Sequence, residues 1–153
     1  MKIIIPPHKK LSLPVQSWRE IKQDALAMIA RIEQGNFPDG RYREAFALSH
    51  SQVSVDPRCF FVVNWKQAEV KKQFRYNIII NPVILKKEDE RVLKDACMSE
   101  PFKKPANKKR YALISVVYQT PGWFGRLKKI RQTFYGTAAF IFQHEEEHFN
   151  GVY

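Results

Sequence analysis

The segment Thr137–Gly151, TAAFIFQHEEEHFNG, restricts the fold more than any other part of this 153-residue chain. It has no breaker before its closing glycine and reads as a single helix. Its first half, Ala138, Ala139, Phe140, Ile141 and Phe142, is apolar nearly all round, so the helix has to be enclosed. The rest of the chain must supply the enclosure.

A second helix spans Ser17–Gln34, where Trp18, Ile21, Ala25, Met28, Ile29 and Ile32 recur at three- and four-residue spacing. Ser17-Trp18-Arg19-Glu20 reads as its capping box and Gly35 as its stop. After the turn-rich NFPDGRY come short β-branched and aromatic runs at 59–64, 75–81 and 112–119, with one more at 131–136. The stretches between them lack helical periodicity, which disfavours parallel βαβ units. The lysine-rich patches ILKK, FKKPANKKR and GRLKK are expected in loops between these elements. The fold expected is α+β: antiparallel β-sheets packed around a central buried helix carrying H-E-x-x-H, plus an N-terminal helix outside them. Residues 1–153 are expected to form a single domain, a length that buries roughly two thirds of the unfolded surface.

No run approaches the ~20 apolar residues needed to cross a bilayer, and the apolar stretch of MKIIIPPHKK is too short for a signal peptide, so a cytoplasmic location is expected. Two cysteines, Cys59 and Cys97, in such a chain do not point to a structural disulfide. With 26 Lys and Arg against 15 Asp and Glu the net charge is +11, which either keeps a basic surface solvated or favours a polyanionic partner. No RNP-like aromatic pattern, zinc-finger spacing or helix-turn-helix signature accompanies the lysines, so the charge supports only non-specific nucleic-acid affinity.

His144 and His148 lie four apart on one helix face and can aim at a common ion, with Glu145 beside them. Burying two histidines and three glutamates is costly unless something compensates, and a divalent cation does so. A catalytic site of this kind takes a third protein ligand and keeps a position for water. None of the five residues after His148 is Cys, His, Asp or Glu, so the ligand comes from upstream: Cys97, Cys59, His50, His8 or an acid. Cys59 sits in a strand-like run where cysteine behaves as a small hydrophobe, whereas Cys97 lies in the polar KDACMSEP and is the better donor.

Three stretches, in this order, resemble those of the peptide deformylases. AFALSHSQVSV (45–55) is similar to GxGLAxxQVG, DACMS to EGCLS and QHEEEHFNG to QHExDHLxG. Gln52 and Cys97 are 45 residues apart, Cys97 and His144 47 apart, and IIINPVI resembles the family's INPxI strand. The resemblance implies a hydrolase that removes the formyl group from the initiator methionine of nascent polypeptides. It implies Cys97, His144 and His148 as metal ligands, Glu145 as general base, and Gln52 with the Met98 backbone N–H as donors to the formyl oxygen. The cofactor implied is a divalent metal, Fe2+ first, with Zn2+ or Ni2+ as substitutes. Phe46, Ala47, Leu93, Phe140 and Ile141 are implied around the N-formyl-methionyl peptide.

The sequence departs from the family at Ala45, Ala47 and Ala96, where glycines are usual, so each added methyl is expected to narrow the groove. Ser49-His50-Ser51 replaces Ala-Ala-Pro, and an arginine following EGCLS falls, by ungapped count, at Lys104. Glu147 stands where Asp is usual and is expected to hold a histidine. Other readings are a divergent relative that keeps its metal but has altered or lost formyl-peptide activity, or another amide hydrolase on the same scaffold. The basic surface would suit contact with the ribosome through its RNA.

Overall fold

The computed structural model describes residues 11–35, 45–66, 75–97 and 104–152. Helix α1 (Trp18–Gln34) starts at Ser17, whose side chain accepts the Glu20 N–H, and ends at Gly35 with φ 62. The box is not fully reciprocal: the Glu20 carboxylate accepts the N–H of Gln16, one residue before the cap. Ile21, Ala25, Met28 and Ile32 form its buried stripe.

Five strands follow: β1 (Ala47–Ser49), β2 (Phe60–Asn64), β3 (Tyr76–Asp95), β4 (Ala106–Pro121) and β5 (Leu127–Tyr135). They form one sheet in chain order, every pair antiparallel. Helix α2 (Gly136–Phe149) then packs on the sheet face opposite α1. Strand β2 is buried at every position because both its faces are covered. Phe60 and Val62 meet the α1 stripe with Ile80, whereas Phe61 and Val63 meet α2 with Ile79. The helix expected inside is enclosed: Phe142 packs edge-on against Phe61 at 5.3 Å and beside Phe134 at 5.3 Å.

The sheet bends where β3 shifts register against β4, between Ile80 and Val83 and between Ile84 and Lys86. Asn81 holds φ 47 there, and its side chain bonds both backbone groups of Val15 and the Gln119 amide. Pro82, which has no N–H to donate, is tolerated at this irregularity.

The strands run well past the predicted apolar stretches. Lys86 and Lys87 belong to β3, Lys108 and Lys109 to β4, and Lys128 and Lys129 to β5, so the lysine patches are in large part strand and not loop. The outer part of the β3–β4 ribbon covers no core and has no apolar alternation to betray it. Ladder bonds and charge pairs such as Lys109–Glu90 hold it instead. The three-residue β1 also escaped the sequence reading. NFPDGRY lies outside the described residues.

Candidate metal centre

Helix α2 carries its two histidines next to a glutamine that fixes it in place. Gln143 accepts the Tyr111 N–H and donates to the Tyr111 and Ala139 carbonyls, all within 2.9 Å. The His144 and His148 rings then stand perpendicular, 4.7 Å between centroids, with their Nε2 atoms 3.1 Å apart. Cys97 follows the end of β3 and sets its Sγ 3.4 Å from His148 Nε2. The donor atoms of Cys97, His144 and His148 all lie within 4.8 Å of one another.

The other upstream candidates separate. His50 is on the α1 side, stacked on Phe60, with Nε2 3.4 Å from Asp24 and Nδ1 accepting the Arg58 N–H. Cys59 packs beside the α2 core, and burial pushes its thiol up to about 11. His8 lies outside the described residues.

Each imidazole is oriented from behind. Asp95 Oδ1 is 2.9 Å from His144 Nδ1, and the Val152 carbonyl is 3.2 Å from His148 Nδ1. Nδ1 donates in both, and it is the Nε2 atoms that face inward, as in metal-binding histidines. Burial pulls the His144 pKa down, but its hydrogen bonds to Asp95 and Cys97 outweigh this and hold it up to about 10. Burial and the charge of His144 press His148 down to about 3. Asp95 is itself gripped by Arg110: burial raises its pKa, and His144 and Arg110 together draw it well below the usual carboxylate range.

Arg110 is the unexpected member. The inward stripe of β4, Tyr118, Val116, Ile114 and Ala112, ends in this guanidinium, only 3% exposed. It bridges Asp95 and Glu147, and Lys108 Nζ adds a contact to Glu147 at 2.6 Å. Glu147 therefore does not hold a histidine as expected; Asp95 does that, and Glu147 braces the arginine. The cations bring Glu147 down to about 2 against the opposing effect of burial. Lys104, where the ungapped count puts the arginine, is exposed, and the buried guanidinium beside Asp95 is that of Arg110.

Gln52 approaches from the short 3-10 turn His50–Gln52. Its Oε1 accepts the Ser49 N–H at 2.7 Å, which fixes the amide orientation and turns Nε2 toward Cys97 Sγ, 3.6 Å away. Glu145 is buried, and its Oε2 has no hydrogen-bond partner among the described residues. Burial raises its pKa to about 7. A cysteine sulfur, two imidazoles and an orphaned carboxylate oxygen form a donor set that suits a borderline divalent cation with its water.

Beside these groups lies a cavity of about 390 Å3. Phe46, Ala47, Leu93, Phe140 and Ile141 all line it, together with Gln52, His144 and Glu145. Of the three alanines, Ala47 and Ala96 face it, but Ala45 is buried in the α1 cluster and narrows nothing. Met98 lies outside the described residues.

A family model described as Polypeptide deformylase matches residues 1–153. A peptide deformylase of Clostridium beijerinckii is 41% identical over 75 residues, 48% of this chain and 50% of that protein. The chain thus matches about half the length of that relative. Among solved structures, Thermotoga maritima peptide deformylase is 24% identical with a TM-score of 0.75, covering 99% of this chain and 94% of that one. Plasmodium falciparum peptide deformylase is 24% identical at a TM-score of 0.78, covering 99% and 82%. The enzyme of the Vibrio parahaemolyticus bacteriophage VP16T, in complex with actinonin, is 26% identical at 0.73, covering 99% and 98%.

Proposed function

Since the chain belongs to the polypeptide deformylase family, we propose that it is a metal-dependent amide hydrolase that removes the formyl group from N-formyl-methionyl peptides and releases formate. The observation that carries this reading is the buried Glu145 oxygen, unpartnered among the described residues, at a cavity that His144 also lines, with His144 in the Cys97–His144–His148 group.

Cys97 Sγ and the Nε2 atoms of His144 and His148 would hold the cation, Fe2+ in first place and Zn2+ or Ni2+ as alternatives. Such an ion lowers the pKa of a bound water and polarises a carbonyl oxygen. The protein's own groups do the rest. Glu145 accepts the proton of the attacking water and returns it to the leaving amine. Gln52 Nε2, aimed by the Ser49 N–H, donates to the formyl oxygen as charge develops there, a contribution of about 3 kcal/mol. The backbone N–H of Met98 is assigned as the second donor. Phe46, Ala47, Leu93, Phe140 and Ile141 enclose the methionine side chain and keep water from the reacting carbon.

The protein would act as a single domain in the cytoplasm; among the described residues no helix is long and apolar enough to cross a membrane. Its charge of +11 supports contact with the RNA-rich ribosomal surface. The test is formate release from a formyl-Met tripeptide after anaerobic reconstitution with Fe2+, Ni2+ or Zn2+, with Glu145→Ala as control. The methyls of Ala47 and Ala96 in the cavity favour one other reading, a metal-binding relative with an altered groove. Stoichiometric metal without formate would select it, and peptide fragments in place of formate would indicate a peptidase.

A further inference from the structure

The turn joining β4 to β5 displays its aromatics outward. Trp123 is 87% exposed and Phe124 fully so, more than any other large apolar side chain among the described residues. The backbone holds this display in place. Gly122 donates to the Arg126 carbonyl at 2.8 Å, and Arg126 donates back to the Trp123 carbonyl at 3.2 Å. Gly125 takes φ 74, and Phe124 itself sits at φ 55, ψ 29, a left-handed conformation that an aromatic residue adopts only at a cost. A Cβ at Gly122 would stand 3.1 Å from the Arg126 carbonyl oxygen, tighter than an ordinary contact, which favours glycine there.

Behind the aromatics, Arg126, Lys128, Lys129 and Arg131 are all exposed. None forms an ion pair with a described acid. From Phe102 to Gln143 the sequence has nine Lys and Arg and no Asp or Glu. Two open ring faces backed by cations on both sides of a narrow ribbon match what an unpaired nucleotide chain needs: rings on which bases stack and charges that follow the phosphates. A lipid anchor would continue apolar beneath its aromatics. Here the first rung, Pro121 across from Leu127, turns Leu127 toward the α1 cluster, and the next is Thr120 across from Lys128, with Arg126 exposed beside them.

We propose that the β4–β5 tip is a binding site for single-stranded RNA. It rests on the reading of the basic charge as an RNA contact, to which it gives a place, and is independent of formyl hydrolysis. Arg110 and the tip lie toward opposite ends of β4, on the order of 35–40 Å apart at ~3.3 Å per residue. An RNA held at the tip therefore leaves the metal centre open.

The test is fluorescence anisotropy of a short, labelled, mixed-sequence single-stranded RNA across a salt series. It compares wild type with Trp123→Ala/Phe124→Ala and with Arg126→Gln/Lys128→Gln/Lys129→Gln/Arg131→Gln. The aromatic pair variant should bind at least tenfold more weakly. The charge variant should lose about 0.7 of the log Kd against log salt slope for each phosphate contact removed. RNA should quench tryptophan fluorescence in wild type but not in Trp123→Phe, while thermal melts and formate release stay at wild-type values. No RNA binding at low salt, equal binding by the tip variants, or tip-dependent binding to phosphatidylserine vesicles without RNA binding would each overturn the proposal. Formate failure with RNA binding intact would overturn only the hydrolase reading.

Discussion

Asp95 Oδ1 lies 2.9 Å from His144 Nδ1, and the same carboxylate is held from its other side by Arg110. The aim of the His144 imidazole is thus set by a chain of charges reaching from α2 through β3 to β4. Replacing Asp95 with Asn keeps the shape but removes the anion. Metal affinity should fall 10- to 100-fold, as losses behind a ligating histidine usually do. Zinc binding in competition with a chelator measures this, and an unchanged dissociation constant would count against the assignment.

Arg110 is expected to matter more for stability than for chemistry. Arg110→Met takes the shared guanidinium from the partly buried Asp95 and Glu147 and should cost about 2–4 kcal/mol, less than a fully buried pair because Glu147 keeps Lys108 and solvent. Arg110→Lys keeps the charge but cannot bridge both carboxylates with one planar group, so its loss should be smaller. Urea denaturation of the two variants gives the order, and equal losses would remove the bridging argument.

On the proposed reading Gln52→Leu removes the donor to the developing oxyanion. The expected result is a fall in kcat on the order of 100-fold or more with KM and metal content nearly unchanged. If KM rises while kcat holds, the amide binds ground-state substrate instead.

His50 gives a pH signature away from the metal. Burial lowers its pKa below the ordinary 6.5, with Asp24 opposing and Arg58 assisting. Nδ1 must stay unprotonated to accept the Arg58 N–H at 2.9 Å. The unfolded chain therefore binds more protons just below pH 6.5, so the stability from neutral His50 is complete above that pH and declines as the solution is acidified. The stability advantage of wild type over His50→Gln should shrink between about pH 7.5 and pH 5. An advantage that grows on acidification would contradict this.

Much of the centre could be read in the chain, because helical spacing places His144 over His148 and family order places Cys97 and Gln52. The family register also picks out Phe46, Ala47, Leu93, Phe140 and Ile141, which the fold brings to one cavity. Asp95 and Arg110 were not: they are 15 positions apart, and only the β3–β4 register brings them together, where Arg110 lies opposite Arg91 and reaches back along the ladder. The outer ribbon was missed because strands without a buried face lose the period-two pattern that announces a strand. The aromatic tip carries no sequence signal of its own, since exposure of Trp123 and Phe124 becomes visible only once the core has taken the other aromatics.

Gln143 immediately precedes the first histidine and grips the Tyr111 backbone with both ends of its amide. Sliding a helix by one residue would turn it about 100° and advance it about 1.5 Å. The amide acts as an index pin that permits one rotational setting of α2 against the sheet. The aim of the two imidazoles is therefore set in part by one uncharged side chain that stands outside the Cys97–His144–His148 group.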